Sequence, residues 1–375
     1  MPRYHRLLWG MLLVATTEAA EIRGDFNRNG ILDVGDAIKI LRMRAGLEPL
    51  DPEADLNEDG LVDQIDANLI LRVVVGLLHR LPPDREEERR NPYYRAVLAR
   101  VEHPQSLPIL PRPEDLTSPW QFTKFAQYAL PAAWAAARKA SPRHGDPRLI
   151  EYACAIVDYC LRQQKDGSWF FSRKWKVRGD ANSDRFALGP LLDTVHWLLT
   201  LPQGRAKWGS WEGPLRQLVD FQYRYWGHSA GDDRAWGMVA FRYPNQDVFY
   251  LAIMALAHEF WGEPEYRKYW DETQRTLQGL EDHLLDDGGL NYIGPETEVP
   301  IYHDVDVLWI SRYYTLTGDE RACRLLKKIV RYYPLTYSNE GRPEYYTDAW
   351  WKHVWADGAA YGPEIIAGIT GEGHN

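Results

Sequence analysis

Residues 291–314 read NYIGPETEVPIYHDVDVLWISRYY, and residues 242–257 read RYPNQDVFYLAIMALA. In each stretch, polar and aromatic residues stand at the start of an apolar segment long enough to form a helix. Helix starts are where a barrel of helices presents its chemistry. The side chains that the two stretches place there are Arg242, Asn245, Gln246, Tyr302 and His303. We therefore predict two long apolar helices with functional residues at their starts.

The same theme repeats from Pro92 onward. Apolar helical segments alternate with loops rich in Gly, Pro and Asp, and alternating strand patterns are almost absent. The sequence therefore predicts a mainly α fold. The predicted helices cover residues 120–140, 147–164, 184–201, 211–225, 247–261, 265–285, 305–316 and 320–332.

Two Asp-Gly turns follow predicted helices and lead into short extended pieces. They are Asp166-Gly167-Ser168-Trp169 and Asp287-Gly288-Gly289-Leu290. Consecutive helical hairpins with such turns at one set of ends resemble the (α/α) toroid of carbohydrate-active enzymes. The resemblance implies a central cleft, lined by inner helices and by loops at one rim. An orthogonal helical bundle and a helical solenoid are the structural alternatives.

An acidic segment near the N-terminus carries one loop pattern twice. Each copy has oxygen-bearing side chains at loop positions 1, 3, 5, 9 and 12, a glycine at position 6, and a backbone carbonyl at position 7. Oxygen ligands at this spacing suit calcium, so the sequence predicts two structural calcium sites. The predicted ligands are Asp25, Asn27, Asn29, Ile31, Asp33 and Asp36 in the first loop, and Asp55, Asn57, Asp59, Leu61, Asp63 and Asp66 in the second.

This pair of loops resembles the dockerin domain, in which each loop also ends on Asp. The resemblance covers about residues 23–78 and implies a small helical calcium-binding domain over residues 21–78. It also implies a cohesin-like or cell-surface partner. Cellulosomal dockerins often carry small hydroxyl residues at the cohesin-contacting positions, where this chain has Val34-Gly35 and Gln64-Ile65.

The segments on either side of this module are predicted to be a signal peptide and a linker. Residues 1–20 combine two arginines, a short apolar run and small residues, the pattern of a secretory signal peptide. Residues 79–92 are dense in charge and contain proline, which predicts a linker and leaves residues 93–375 as the catalytic domain. We expect a protein without a membrane span that is secreted, periplasmic or held at the cell surface.

The charge and the aromatic content limit the classes of molecule that the protein is expected to bind. The net charge is −9, and residues 21–78 contribute −6 of it, from twelve acidic and six basic residues. The acidity of the first module therefore does not argue against an anionic substrate for the larger domain. Nucleic acid is not expected, since there is no basic stripe. Sixteen Trp and 22 Tyr suit either a carbohydrate cleft or helix interfaces. Three cysteines make no disulfide framework, so buried free thiols are expected.

The two opening stretches also resemble the alginate-lyase type of toroidal polysaccharide lyase over about residues 240–325. In that family an Asn-His pair opens one helix, and an Arg followed by Tyr-His-Asn-Tyr opens a later one. Asn245 and the pair Tyr302-His303 match this pattern. Gln246 stands in place of the first His, Glu298 in place of the Arg, and Val305 in place of the second Tyr. The differences suggest a divergent group that acts on glucuronan or alginate.

The resemblance implies β-elimination of a uronate without a catalytic cofactor. Asn245 is expected to hold the substrate carboxylate, together with Gln246 and Arg242, by hydrogen bonds and charge. Tyr302 is the first candidate for the base and acid, and His303 is an alternative base or an orienting group. Tyr345 and Tyr346 are the second candidates for the base. Further substrate contacts are expected from Tyr346, Trp350 and Lys352.

Two other functions remain open. A glycoside hydrolase on the same toroid needs two facing carboxyl groups. Its candidates are Asp232, Asp233, Asp247, Asp304 and Asp306. A non-catalytic carbohydrate-binding or scaffold protein would bind the polymer without shortening it.

Overall fold

The computed structural model describes residues 22–56, 62–75, 81, 119–139, 141–169, 181–224, 243–262, 267–291, 300–336, 362 and 365–366. The chain divides into two compact units, Met1–Val75 and Gly76–Asn375. This division lies close to residue 78, where the sequence predicts the end of the acidic module. The predicted signal peptide, and the predicted linker apart from Leu81, lie outside the described residues.

Helices dominate both units, which confirms the mainly α class. Over the ranges given above, strand-like pairing is confined to two isolated bridges, one in each predicted Asp-Gly turn region. No helix in the same ranges combines the length and the apolar character needed to cross a membrane. All three cysteines are buried free thiols, as the sequence predicts: Cys154, Cys160 and Cys323.

In the first unit, two helices follow the two acidic loops. Helix α1 (Val34–Arg44) packs against α2 (Gln64–Val74), and a short 3-10 helix (Pro52–Ala54) stands between them in the chain. Ile40 and Ile70 occupy equivalent places in the two helices and are fully buried. The repeated sequence pattern therefore forms a pair of packed helices with its own small core.

The second unit consists of successive helical hairpins. Helices α4, α6, α8 and α10 each pack against the helix that follows. The α-helices described in this unit are α3 (Pro119–Gln127), α4 (Ala129–Ala137), α5 (Pro147–Gln163), α6 (Ala181–Leu199), α7 (Pro202–Gln222), α8 (Pro244–Trp261), α9 (Arg267–Asp282), α10 (Pro300–Thr317), α11 (Glu320–Ile329) and α12 (Tyr333–Thr336).

Helices α4, α6, α8 and α10 are neighbours that run in the same direction. Between α6 and α8, the rings of Phe186 and Phe249 lie 4.7 Å apart, and those of His196 and Phe260 lie 6.4 Å apart. Residue numbers thus rise together along the two helices. The same order holds for α6 with α10, in the pairs Gly189–Trp309 and Asp193–Arg312. It also holds for α4 with α6: Gln127, just before α4, contacts Phe186, and Arg138, just after α4, contacts Trp197.

The helices that follow them run the opposite way and cover them. Along α8 and α9, Tyr250 meets Glu272, whereas the later His258 meets the earlier Trp270. Helix α8 is buried on all sides from Pro244 to Ala257, whereas α5, α9 and α11 each have one buried and one exposed face. We call α4, α6, α8 and α10 the inner helices, and α5, α7, α9 and α11 the outer helices.

The connections differ between the two ends of the hairpins. Residues 164–180, 223–243 and 283–299 lead from an outer helix to the next inner helix. The opposite connections, from inner to outer, are the shorter segments 138–146, 200–201, 262–266 and 318–319. Every long connection therefore reaches the start of an inner helix.

Both Asp-Gly turns form as the sequence predicts. Gly167 and Gly288 have φ angles of 86° and 92°, in the region that favours glycine. Ser168, after the first turn, donates a hydrogen bond of 2.5 Å from Oγ to Oδ2 of Asp184 in the first turn of α6. The turn after an outer helix thus fastens the start of the next inner helix.

Three predicted helix boundaries were wrong. The segment predicted as one helix over residues 120–140 is broken at Tyr128, because Pro131 has no N–H to bond the carbonyl of Gln127. Helix α7 begins at Pro202 instead of residue 211, and α10 begins at Pro300 instead of residue 305. Proline suits the first helical position, and apolar periodicity does not mark a polar first turn.

Candidate functional site

The starts of α6, α8 and α10 lie at one end of the inner helices. Phe249 of α8 and Trp309 of α10 lie side by side, with ring centroids 4.7 Å apart. Because each helical residue rises about 1.5 Å, Asn245 is level with Val305. Tyr302 precedes Val305 by three residues, so it lies about 4–5 Å beyond the level of Asn245, in the direction of the helix starts. The fold therefore brings the predicted residues of both opening stretches to the same end.

The first turn of α8 has buried polar groups with unmet hydrogen-bonding capacity. Tyr243 precedes the helix and caps it with its backbone only, accepting from the N–H groups of Gln246 and Asp247. Asn245 and Gln246 are 2% and 6% exposed. Asn245 Oδ1 and Gln246 Oε1 accept no hydrogen bond from any described residue. A buried acceptor without a donor costs free energy, so a ligand hydroxyl that donates to these oxygens would bind favourably.

Arg185 lies beneath this turn. It is fully buried. Its Nη1 donates to the carbonyl of Gln246 at 3.0 Å, and its Nε donates to Gln222 Oε1 at 3.4 Å. The guanidinium carbon lies 5.5 Å from the ring centroid of Tyr250. Arg185 therefore joins the starts of α6 and α8 to the end of α7.

Tyr250, one turn further into α8, is fixed as a neutral hydrogen-bond donor. Its hydroxyl donates to Glu272 Oε2 at 3.1 Å, and Arg275 donates to the same oxygen at 2.7 Å. Burial, and next the carboxylate of Glu272, raise the pKa of Tyr250 well above its usual value. Tyr250 is therefore unsuited to act as a base.

The first turn of α10 places two predicted residues in different surroundings. Tyr302 is half-buried, whereas His303 is fully buried. The Nε2 of His303 lies 3.2 Å from the carbonyl oxygen of Ile329, so this nitrogen carries a proton that it donates. The ring of His303 also lies 4.2 Å from Tyr332 and 4.9 Å from Tyr333. His303 thus fastens the start of α10 to the end of α11.

The carboxylates considered for a hydrolase are buried where the structure describes them. Asp304 Oδ1 accepts from the Tyr333 hydroxyl at 2.6 Å and from the N–H of Gly362 at 3.1 Å. Asp247 and Asp306 are 4% and 0% exposed. Asp304 therefore has a packing role in joining α10 to later parts of the chain.

Several predicted site residues lie outside the described residues. They are Arg242, Tyr345, Tyr346, Trp350 and Lys352, together with Asp232, Asp233 and Glu298. The site residue that sequence reasoning undervalued is Arg185. The available signal was its position at the head of the apolar segment FALGPLL, the same placement that marks Asn245 and Tyr302.

In the first acidic loop, backbone N–H groups orient the two terminal carboxylates. Asn29 and Gly30 donate to the two oxygens of Asp25, at 3.0 and 2.7 Å. The N–H groups of Asn27 and Asp33 donate to the two oxygens of Asp36, each at 2.9 Å. Gly30 at position 6 has a φ of 85°. These features fit the predicted calcium loop.

The middle of this loop is closed by its own amides. Asn27 and Asn29 donate from their side-chain nitrogens to the two oxygens of Asp33, at 3.1 and 2.7 Å. These bonds, the Asn29 bond first, lower the pKa of Asp33 and keep it anionic. The amide nitrogens occupy the place of a cation, and rotating both amides would present their oxygens instead. The donor set therefore fits calcium, with Asp25, Asn27, Asn29, Asp33 and Asp36 as side-chain ligands and Ile31 as the carbonyl ligand.

The second loop is described in part. Asp66 Oδ2 accepts from the N–H of Asp63 at 2.8 Å, which repeats the bond between positions 12 and 9 of the first loop. Asp66 also accepts from the N–H of Leu56 at 2.8 Å. The predicted ligands Asn57, Asp59 and Leu61 lie outside the described residues. Among the residues that are described, no three His, Cys, Asp or Glu side chains are already arranged around a metal position.

Comparisons of the chain with family models, curated proteins and solved structures found no match.

Proposed function

We propose that the helical domain is a secreted lyase that cleaves a uronic-acid polysaccharide of the glucuronan or alginate type by β-elimination. The observation that carries the proposal is the shared end of α6, α8 and α10, where Asn245, Gln246 and Tyr302 lie above a buried arginine. Three helix starts also bring the positive ends of their dipoles to this end, which the carboxylates of Asp184 and Asp247 partly offset. Such a surface suits a polymer with a carboxylate on every sugar.

Asn245 and Gln246 would hold the carboxylate of the sugar that is cleaved. Side-chain amides can donate to carboxylate oxygens through their NH2 groups. Neutralising this carboxylate makes the C5 proton of the uronate more acidic. The two amides would therefore stabilise the negative charge that develops as the proton leaves.

Tyr302 would then serve as base and acid. As phenolate it takes the C5 proton, the C5 electron pair forms the C4=C5 double bond, and the C4–O4 bond breaks with its electrons on O4. The phenol returns the proton to O4. A free phenol has a pKa of about 10, so the positive end of α10 would favour its ionisation. His303 would position Tyr302 by holding the first turn of α10 against α11.

The order of inner and outer helices supports an (α/α) toroid, with the cleft at the starts of the inner helices. We also propose that the first unit is a dockerin-like module. Its two loops would each hold a structural calcium ion, and its surface would bind a cohesin-like or cell-surface partner. The orientation of Asp25 and Asp36 by backbone N–H groups supports the first of these sites.

The test is to incubate the purified protein with glucuronan, alginate and pectate and to follow the ultraviolet absorbance of the unsaturated product. We expect absorbance to grow with glucuronan or alginate and turnover to fall roughly a hundredfold or more in Tyr302→Phe. The exposed Tyr128 supplies the matched control, and Tyr128→Phe should be fully active. New reducing ends without absorbance would refute elimination and favour hydrolysis. Binding without either product would favour the non-catalytic alternative.

A further inference from the structure

We infer that Arg185 is a positioning residue that sets the first turn of α8 and supplies the positive charge by which the site selects uronates over neutral sugars. The inference rests on the proposed function, and it names a residue outside the set expected to touch substrate. Its basis is the place of Arg185 between three helix ends.

The contacts of Arg185 converge on the turn that carries Asn245. Nη1 bonds the carbonyl of Gln246, the neighbour of Asn245, at 3.0 Å. Nε bonds the side chain of Gln222 at the end of α7, and the guanidinium lies over the ring of Tyr250. A planar group with donors on several edges can hold all three at fixed angles, which a lysine cannot do. Movement of Arg185 would therefore move the two substrate-binding amides.

Stability alone is a weak reason for this arginine. Removing a guanidinium from water is costly, and well-packed apolar residues of similar volume often replace buried charges without loss of stability. Arg185 is 0% exposed, as are its inner-helix neighbours Ala187, Leu188 and Leu191. The deeper layers of the same helix are thus apolar, and the charge is confined to the level of the first turn of α8. The charge is better explained by what binds above it.

The positive charge of Arg185 lies in the protein interior, where water does not screen it. Arg185 and Gln222 are fully buried and Gln246 nearly so, so water screens the guanidinium little, although the carboxylate of Glu272 beyond Tyr250 offsets part of its field. A carboxylate held by Asn245 and Gln246 would feel this field, whereas a neutral sugar in the same place would not. Arg185 therefore separates two ligand classes that have similar shape.

The experiment measures binding of a glucuronate tetramer and of a neutral glucose tetramer by calorimetry, at low and high salt. In Arg185→Met we expect uronate affinity to fall roughly tenfold or more at both salt concentrations, because a buried charge is little screened, with a smaller fall in affinity for the neutral sugar. Arg185→Lys keeps the charge and should keep the preference for the uronate, but should lower kcat because the turn is less well held. Arg205 is the matched control, since it also bonds backbone carbonyls, those of Leu199 and Thr200. Arg205→Met should bind as the unchanged protein does.

A second variant covers the case in which Arg185→Met fails to fold. Gln222→Glu leaves Arg185 in place and puts a carboxylate beside its Nε, so it should lower uronate affinity in the same way.

Equal uronate affinity in Arg185→Met and the unchanged protein would overturn the inference while leaving the proposed function standing. If the unchanged protein binds no uronate, both the proposed function and the inference are wrong. A loss of affinity for both tetramers alike would show a merely structural role and would also overturn it.

Discussion

Tyr250 and Tyr302 are the same residue type in surroundings that differ in burial and hydrogen bonding. Both lie in the early turns of inner helices, but Tyr250 is buried and bonded to Glu272, whereas Tyr302 is half-buried. Burial, followed by the carboxylate of Glu272, raises the pKa of Tyr250 and so favours its neutral, donating form. A tyrosine that is structural and one that is available for chemistry therefore look alike in the sequence and differ in burial.

The raised pKa of Tyr250 predicts that the folded protein loses stability at alkaline pH. A folded-state pKa above the unfolded value of about 10 contributes stability that is present below pH 10 and is lost as pH rises toward the folded pKa. Tyr152 and Tyr313, whose pKa values burial raises to about 12, act in the same direction. Above pH 10 the free energy of unfolding should therefore fall more steeply in the unchanged protein than in Tyr250→Phe, by up to about 1.4 kcal/mol per pH unit.

Urea denaturation at pH 8 to 11 measures this difference. Near pH 8, Tyr250→Phe should be less stable by about 1 kcal/mol, because Glu272 loses one donor. Tyr128→Phe changes an exposed side chain and should follow the unchanged protein at every pH. Parallel pH profiles for the unchanged protein and Tyr250→Phe would contradict the assignment of a neutral, buried donor.

At the scale of the helix, the Asp-Gly turns have a packing role as well as a conformational one. A Cβ on Gly167 would collide with the carbonyl of Gln217 and lie 2.8 Å from Cβ of Phe221, both in α7. A Cβ on Gly288 would lie 2.7 Å from the carbonyl of Lys328 at the end of α11. Both turns thus press against the next outer helix, which explains why Asp-Gly recurs at these two places.

Gly167→Ala should destabilise the helical domain by about 2 kcal/mol or more, because it combines a positive φ with a clash against backbone. The control lies in the same outer helix that Gly167 touches. Gly209 in α7 has open space around its Cβ position, so Gly209→Ala should stabilise by about 0.5–1 kcal/mol. Thermal unfolding followed by circular dichroism distinguishes the two signs. A stabilising effect at Gly167 would contradict the described packing of the turn.

Helix existence was easier to predict than helix starts. The apolar pattern located the bodies of α5, α8 and α10, because the buried residues of α5 recur at helical spacing and α8 is apolar almost throughout. It missed the first turn of α10, where Tyr302 and His303 interrupt the pattern. It missed the break at Tyr128 as well, because alanines fill both sides of it. Polar first turns carry the candidate site, so the least predictable part of each helix is the most informative one.

At the scale of the whole chain, the sequence predicted that functional residues stand at helix starts but not which starts meet. Asn245 and Tyr302 come together because one outer helix separates their inner helices, so both inner helices run the same way. Arg185 contacts the first turn of α8 through the carbonyl of Gln246, sixty-one residues away in sequence. Such non-local contacts have no periodic signal, and its charge favoured a surface position. Its burial is visible only in the folded chain.

The two units predict two unfolding transitions with different responses to calcium. An ion that binds only the folded form raises stability, by about 2.7 kcal/mol at a hundred times its dissociation constant. In scanning calorimetry, calcium should raise the Tm of the first unit and leave that of the helical domain unchanged, and chelation should reverse the shift. A first-unit transition that ignores calcium would refute the proposed sites.

Asp33→Asn tests the first loop in the same measurement. It removes one carboxylate ligand but keeps a residue type that caps helices well, so it should reduce the calcium shift without unfolding α1. Asp51 is the control, because it caps the 3-10 helix outside both loops. Asp51→Asn should keep the full calcium shift.

The long connections of the helical domain all arrive at the starts of inner helices, whereas the opposite connections are short. Doubling the length of a loop adds only about 0.6 kcal/mol of closure entropy, so insertions at the open end are tolerated. The short turns and the inner layer leave no such freedom. Evolution, or an engineer who grafts loops, can therefore exchange these long connections while the helical hairpins stay as they are. The shape of the domain and the composition of its long connections can change separately.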